Sequence, residues 1–160
     1  MHKQFTATYL EVRRPMEPFD FIFSPWLAWE TFLATRLEDR RFRNKGVYLL
    51  AHFRKTPMGA GRPDLKEVVY VGETTKQDLK SRLDQFHGSA FQERSGHSGG
   101  WTYSKKLLEN ALPSGALHVS ILPITQEYYR HPGYLIKHIE RSALWKIIKT
   151  IGDPPPCNKS

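Results

Sequence analysis

Runs of apolar residues predict a small β-sheet near the middle of the chain. Residues 46–53 and 67–71 are rich in β-branched and aromatic side chains and predict two strands. Apolar and polar side chains alternate over residues 117–121, which predicts a third strand. Residues 3–13 have the composition of an edge strand. The stretch 54–66, which contains prolines and glycines, predicts a long loop between the first two central strands.

Three helices are predicted, over residues 24–40, 76–86 and 134–149, from apolar positions three and four apart. The first begins with a serine N-cap followed by proline, and the second follows a pair of threonines that would cap it. The third is preceded by Pro-Gly and ends before a glycine and three prolines. Residues 88–100 are polar and glycine-rich, which predicts a surface loop. Residues 101–112 leave a short helix and an extended segment as alternatives.

Length and composition limit the class of protein. A chain of 160 residues is typical of one domain, here interpreted as an N-terminal extension (1–45) packed on a main unit (46–160). No apolar run is long enough to cross a membrane, and the N-terminus lacks the apolar stretch of a signal peptide. Cys157 is the only cysteine, which excludes an intrachain disulfide and fits a reducing cytoplasm. The net charge of +8 favours a polyanionic partner.

Glu140 lies on the apolar side of the last predicted helix. Ile136 stands four residues before it, and Ala143, Leu144 and Ile147 stand three, four and seven residues after it, so all share its face. An ionised carboxylate buried there is costly unless it is paired or bound to a metal. Two interpretations follow. An arginine satisfies the carboxylate inside the protein, or the carboxylate reaches into a site and binds a hard divalent cation.

Five elements in order connect this carboxylate with the predicted strands. They are Gly46-Val47-Tyr48, Tyr70-Val71-Gly72, Arg82, Glu140 and Asn158. Their order and their strand–strand–helix context resemble the GIY-YIG nuclease family over residues 46–158. The resemblance implies an α/β (α+β) domain with a central three-stranded antiparallel sheet flanked by helices.

The resemblance also implies a chemistry. The family's members are metal-dependent endonucleases, which hydrolyse DNA phosphodiester bonds by in-line attack of a tyrosine-activated water. Tyr70 is the expected base and Tyr48 a positioning group, although an unperturbed phenol, with a pKa near ~10, is a weak base at neutral pH. Arg82 would hold the phosphate through its fork of donors. Glu140 would bind one Mg²⁺ or Mn²⁺ ion, and Asn158 would hydrogen-bond to backbone or to site groups.

Three features depart from the family pattern: the position of His87, the long loop between the strands of Tyr48 and Tyr70, and Glu73. A histidine or tyrosine often follows the family's arginine by one helical turn, but here Phe86 takes that position and His87 comes one residue late. Two roles fit the position of His87. It could transfer a proton to or from the water, or it could be a helix-terminal histidine that the helix dipole favours. His97, in a Gly-His-Ser-Gly-Gly stretch, is a second candidate for substrate contact or for the missing histidine role. Glu73 would repel a phosphate unless it faces away, binds metal or pairs with a lysine.

Basic side chains outside the motifs are the predicted DNA contacts, namely Arg41, Arg43, Arg62, Lys76 and also His97. The basic run within residues 36–45 fits a solvated helix end and a phosphate-binding surface equally well. The expected protein is a stand-alone, restriction-type or mobile-element nuclease that acts as a monomer or a homodimer. A non-catalytic nucleic-acid-binding protein on the same scaffold is the alternative, and a basic structural protein is a third.

Overall fold

The fold is described by a computed structural model, which covers residues 21–108, 115–125 and 130–159. The strand predicted over residues 3–13 lies outside the described residues. The described chain forms an α+β structure around one antiparallel sheet of four strands, in the order β1-β4-β2-β3. The strands are β1 (Leu27–Ala28), β2 (Lys45–Phe53), β3 (Val68–Thr74) and β4 (Ala116–Ile124).

Four α-helices accompany the sheet. They are α1 (Trp29–Thr35), α2 (Leu79–Phe91), α3 (Ser98–Tyr103) and α4 (Pro132–Ile151). Short 3₁₀ turns occur at Arg40–Arg43 and Pro156–Asn158, and a π-helical turn at Ser104–Leu108 continues α3. No helix among the described residues is long and apolar enough to span a membrane.

The sheet is covered on both faces, and this explains why β2 has no polar alternation. Tyr48 and Leu50 of β2 join the core cluster under α1, α2 and α3, whereas Val47 and Leu49 join a second cluster under α4. Successive side chains of a strand point to opposite faces, so a strand with a core on each side is apolar throughout. The protein therefore has two cores separated by one sheet.

The predicted three-stranded sheet is wrong in strand number, and the first predicted helix begins too early. Ser24, expected as the N-cap, instead pairs with β4: its N–H donates to the Ile121 carbonyl (2.8 Å) and its hydroxyl accepts from the Ile121 N–H (3.0 Å). The chain therefore stays extended through Ser24 and adds the two-residue strand β1 beside β4. Helix α1 begins only at Trp29 and ends at Thr35, five residues before the predicted end.

The second predicted helix is displaced toward the C-terminus. Its N-cap is Asp78, whose carboxylate accepts from the Ser81 N–H at 2.7 Å, whereas Thr74 ends β3 and bonds locally to Gln77. Helix α2 then continues to Phe91, and α3 begins at Ser98. The surface loop predicted over residues 88–100 is therefore mostly wrong, because only residues 92–97 connect the two helices.

The predicted third strand and last helix are confirmed, with longer limits. Strand β4 pairs with β2 along its whole length, from Ala116 opposite Phe53 to Ile124 opposite Lys45. Helix α4 ends at Gly152, which adopts the left-handed conformation (φ 95°) expected of a helix C-cap glycine. These elements place Glu140 on one face of the sheet and the motif tyrosines on the other.

Candidate active site

Two tyrosine rings share a cradle made by glycines. Tyr48 of β2 lies directly opposite Gly72 of β3, and its ring centroid is 6.0 Å from that of Tyr70. A Cβ atom at Gly72 would lie 2.3 Å from Tyr48 Cζ and 2.6 Å from Tyr70 Cε1. A Cβ atom at Gly99, on α3, would lie 2.6 Å from the other edge of the Tyr70 ring. Both glycines are therefore needed for the close approach of the tyrosines.

His97 contacts Tyr48 in a tautomer that its surroundings define. The Gly100 N–H donates to His97 Nδ1 at 3.1 Å, so this nitrogen carries no proton in the neutral ring. The proton is on Nε2, which lies 2.7 Å from the Tyr48 hydroxyl oxygen and donates to it. Burial lowers the pKa of His97 to about 3, with the positive charge of Arg82 as a further cause, so the ring is neutral.

The burial of His97 does not favour the predicted substrate contact. Its side chain is 1% exposed, and its backbone N–H donates to the Ser89 hydroxyl at 3.1 Å. A group enclosed in this way acts on the tyrosines and not on a bound nucleic acid. His97 therefore occupies the place beside the tyrosines for which the sequence left two histidines as candidates.

The phenols differ in what stabilises their charged forms. Burial raises the pKa of Tyr48 well above its ordinary value, the charge of Tyr70 adds to the rise, and Arg82 opposes it. Burial also raises the pKa of Tyr70, and Glu140 adds to that rise, whereas Arg82 and a hydrogen bond from the Tyr48 hydroxyl lower it. Arg82 therefore favours the charged form of both phenols, and Tyr48 favours that of Tyr70.

Arg82, on α2, presents a guanidinium without a carboxylate partner among the described residues. Its Nη1 donates to Gln85 Oε1 at 3.2 Å and to the Gly96 carbonyl at 3.4 Å. Gln85 is itself fixed by two reciprocal amide hydrogen bonds with Gln77, at 2.8 and 3.1 Å. The guanidinium lines a groove with Glu73, Thr75, Lys76 and Lys137. Because neutral groups hold it, it remains available to an anion.

Glu140 faces another carboxylate. Burial raises the pKa of Glu140, and the negative charge of Glu73 raises it further, against opposing contributions from Arg141 and Lys137. No hydrogen bond or ion pair of the described residues reaches the Glu140 carboxylate, so the internal arginine partner is not found. One oxygen of Glu73, Oε2, is buried without a hydrogen-bond partner in the described structure.

This pair of carboxylates suits a hard cation. Two half-buried acids without hydrogen-bond partners repel each other, and a divalent ion with oxygen ligands would neutralise both. Within the described residues there is no group of three or more His, Cys, Asp or Glu side chains placed to hold a metal. An ion held by these two carboxylates would therefore take its remaining ligands from water, as Mg²⁺ usually does.

Asn158 makes the backbone hydrogen bonds that were expected of it. Its Oδ1 accepts from the Val71 N–H and its Nδ2 donates to the Val71 carbonyl, both at 2.8 Å. Strand β3 is an edge strand, and Val71 lies between Tyr70 and Gly72. The amide therefore takes the place of a neighbouring strand at the point where the site is built.

His87 does not join the site. Its Nδ1 accepts a hydrogen bond from Trp29 Nε1 at 3.1 Å, and its ring stacks on that indole with centroids 6.2 Å apart. Phe86 instead points toward the tyrosines, with its ring 5.3 Å from His97 and 6.4 Å from Tyr70. The spacing of one helical turn from Arg82 therefore places a phenylalanine, and not a histidine, at the site.

The predicted DNA contacts divide into two groups. Arg41 and Arg62 each form a two-point ion pair with an aspartate two residues away, Asp39 and Asp64. Arg43 and Lys76 instead line open grooves next to the site. Sequence analysis missed Lys137, which also lines the Arg82 groove. Its position three residues before Glu140, on the same helical face, was the available signal.

No protein-family model, curated protein or solved structure matches this chain. The comparisons therefore assign neither a family nor an activity.

Proposed function

We propose that the protein is a metal-dependent endonuclease of the GIY-YIG type that hydrolyses DNA phosphodiester bonds. One observation carries the proposal. The rings of Tyr48 and Tyr70 lie 6.0 Å apart, and Arg82 and Glu140, which lie 12 and 70 positions after Tyr70 in the sequence, are both close enough to Tyr70 for their charges to influence it. Of these residues Arg82 lines an open groove, together with Glu73 and Lys137, and titratable groups gathered at a groove are typical of a functional site.

The residues of the chain support the following division of work. Tyr70 Oη removes a proton from water, whose oxygen attacks phosphorus in line with the departing 3′ oxygen. The P–O3′ bond breaks and leaves a 5′ phosphate and a 3′ hydroxyl, with the leaving oxygen protonated from solvent. Tyr48 stays protonated, and its hydroxyl donates a hydrogen bond to Tyr70. Arg82 donates to the phosphate oxygens, on which negative charge develops.

Glu140 and Glu73 would hold the metal ion. When bound, Mg²⁺ or Mn²⁺ supplies Lewis-acid stabilisation of the charge on the phosphate and on the leaving oxygen. Glu73 and Arg82 line the same groove, and the charge of Glu73 acts on Glu140. With the ion bound, this arrangement would offer the phosphate positive charge, whereas the two carboxylates without an ion would repel it.

A plasmid assay tests the proposal. Supercoiled DNA should be nicked or cut with Mg²⁺ or Mn²⁺ and should remain intact with chelator. Glu140→Ala should lose at least about 100-fold in rate, because a metal ion contributes several kcal/mol to this chemistry. Glu30→Ala, at an exposed glutamate of α1, is the matched control and should cut like the wild type. Wild-type rates in Glu140→Ala would overturn the assignment of the site.

A nucleic-acid-binding protein without activity is the second candidate, and the raised pKa of Tyr70 is the observation that favours it. A protonated phenol cannot accept the proton of water. Salt-dependent binding of DNA without cleavage of any DNA or RNA form, with either metal and up to pH 9, would support that candidate.

A further inference from the structure

Three grooves on one side of the molecule are continuous. The groove at Arg82 shares Thr75 and Lys137 with a larger groove of about 650 Å³. That larger groove is lined by Lys45, Thr75, Arg130, His131, Pro132, Gly133, Tyr134 and Lys137. Lys45 also lines a third groove, together with Arg43 and Lys76. A single path therefore leads from the candidate active site to the beginning of α4.

Three cations along this path form no ion pair with the acidic side chains that the structure describes. Lys45, Lys137 and Arg130 take part in none of the ion pairs formed by the described residues, whereas Arg41 and Arg62 are each neutralised by an aspartate. A concave surface lined by unpaired cations concentrates positive potential and attracts a polyanion. The path therefore has the charge that a phosphate backbone requires.

An aromatic ring lies at the far end of the path. Tyr134 is 81% exposed, and of the described rings only that of His131 contacts it, edge to face at 6.2 Å. Tyr134 precedes Glu140 by six residues on α4, which corresponds to about 9 Å along the helix axis. This is close to the rise of three base pairs at about 3.4 Å each. A base stacked on Tyr134 would thus lie within a few nucleotides of the scissile phosphate.

We infer that Lys45, Arg130, Lys137 and Tyr134 bind a single-stranded segment of the nucleic-acid substrate, with an unstacked base on the Tyr134 ring. In a duplex the faces of the bases are covered by their neighbours, so an exposed ring in a basic groove suits an unpaired strand. The inference rests on the proposed function and gives it a substrate class. The enzyme engages DNA that has a single-stranded region next to the cleavage point, such as a flap or a frayed end.

Binding measured in chelator tests this without cleavage. Fluorescence anisotropy with a dT₁₂ single strand and with a 12-base-pair duplex gives affinities over a range of salt. Tyr134→Ala should weaken binding of the single strand by about 5-fold to 150-fold and leave the salt slope unchanged, since base–aromatic stacking is lost but no charge is. Its effect on the duplex should stay within twofold. The combined variant K45A/R130A/K137A should reduce the magnitude of the slope of log K against log salt concentration by about 2 for the single strand.

The matched control is R54A/K55A/K66A. These three cations line a separate groove near Phe53 and Val69, and their removal should leave the slope for the single strand unchanged. Equal losses in the two triple variants would mean diffuse attraction and would overturn the inference, as would wild-type binding by Tyr134→Ala. If the wild type nicks plasmid while the groove variants bind normally, only the inference fails. If the wild type binds no oligonucleotide at low salt, both the inference and the proposed function fail.

Discussion

Replacement of His97 by glutamine should remove a large part of the protein's sensitivity to acid. The folded state holds this ring neutral, with Nδ1 occupied by the Gly100 N–H and Nε2 donating to Tyr48. Protonation would place a second N–H against the Gly100 N–H, in a site that is 1% exposed. The unfolded chain has no such restriction. Acid therefore favours the unfolded state through this one residue.

The magnitude follows from the two pKa values. The pKa of His97 is about 3 in the folded state and close to about 6.5 in an unfolded chain. Since the folded pKa is depressed, the stabilisation is complete above the unfolded value and is lost as the pH falls toward the folded value. The loss is about 0.7 kcal/mol per pH unit at pH 6.5 and approaches about 1.4 kcal/mol per unit at lower pH, so a change from pH 6.5 to pH 4.5 costs about 2.3 kcal/mol.

Urea unfolding followed by tryptophan fluorescence measures this effect. At pH 7 His97→Gln should be less stable than the wild type by about 1–3 kcal/mol, because buried hydrogen bonds are weakened. Between pH 6.5 and 4.5 the free energy of unfolding of the wild type should fall by about 2.3 kcal/mol relative to that of His97→Gln. The carboxylates are common to both proteins and cancel in the difference. His131→Gln, at an exposed histidine, is the control. Parallel curves for the wild type and His97→Gln would refute the neutral, buried state of His97.

Four further substitutions probe the site. Glu140→Gln should raise the free energy of unfolding above pH 7 by at most about 1 kcal/mol after solvent screening. The raised pKa of Glu140 means that its ionised form destabilises the folded state, and glutamine removes that charge. Mg²⁺ should raise the thermal midpoint of the wild type but not of this variant. Gly72→Ala should lose about 1–3 kcal/mol in urea unfolding, since its new methyl group overlaps the tyrosine rings. Asn158→Ala should lose about 1–3 kcal/mol and should speed hydrogen exchange at the Val71 amide, which no longer has its partner. His87→Gln should keep the rate of plasmid nicking within twofold of the wild type while lowering stability, because His87 lies away from the tyrosines.

The strands and their motif tyrosines could be predicted because their signal is local. A run such as that of β2, which is apolar at almost every position, has few alternatives to a buried strand, and a period of two then fixes the face of Tyr48. Strand β1 could not be predicted, since two residues carry no period. Its formation depends on Ser24 pairing with β4, nearly 100 positions away in the sequence. A proline after a serine favours a helix start locally, and this distant pairing overrides it.

The position of the histidine is a second case in which local reasoning was insufficient. Spacing from Arg82 directed attention to His87, yet the helical turn that it occupies packs on Trp29. His97 reaches Tyr48 because Gly99 and Gly100 let α3 approach Tyr70 and α2 closely. The glycines were interpreted as a loop signal, whereas here they provide room for rings and backbone. Only the tertiary packing distinguishes these two uses of glycine.

The site depends on the alternation of side chains along one edge strand. In β3 Tyr70 and Gly72 serve the face that holds Tyr48 and His97, and Val71 and Glu73 serve the face that holds α4 and Glu140. A slip of one residue would exchange the two sets and would turn the phenol away from its partners. Edge strands resist such slips poorly because one side is unpaired. The two hydrogen bonds between Asn158 and Val71, one in each direction, fix the register at that position. The asparagine therefore contributes to the site without contacting a reacting group, by keeping its two halves on the correct sides of the sheet.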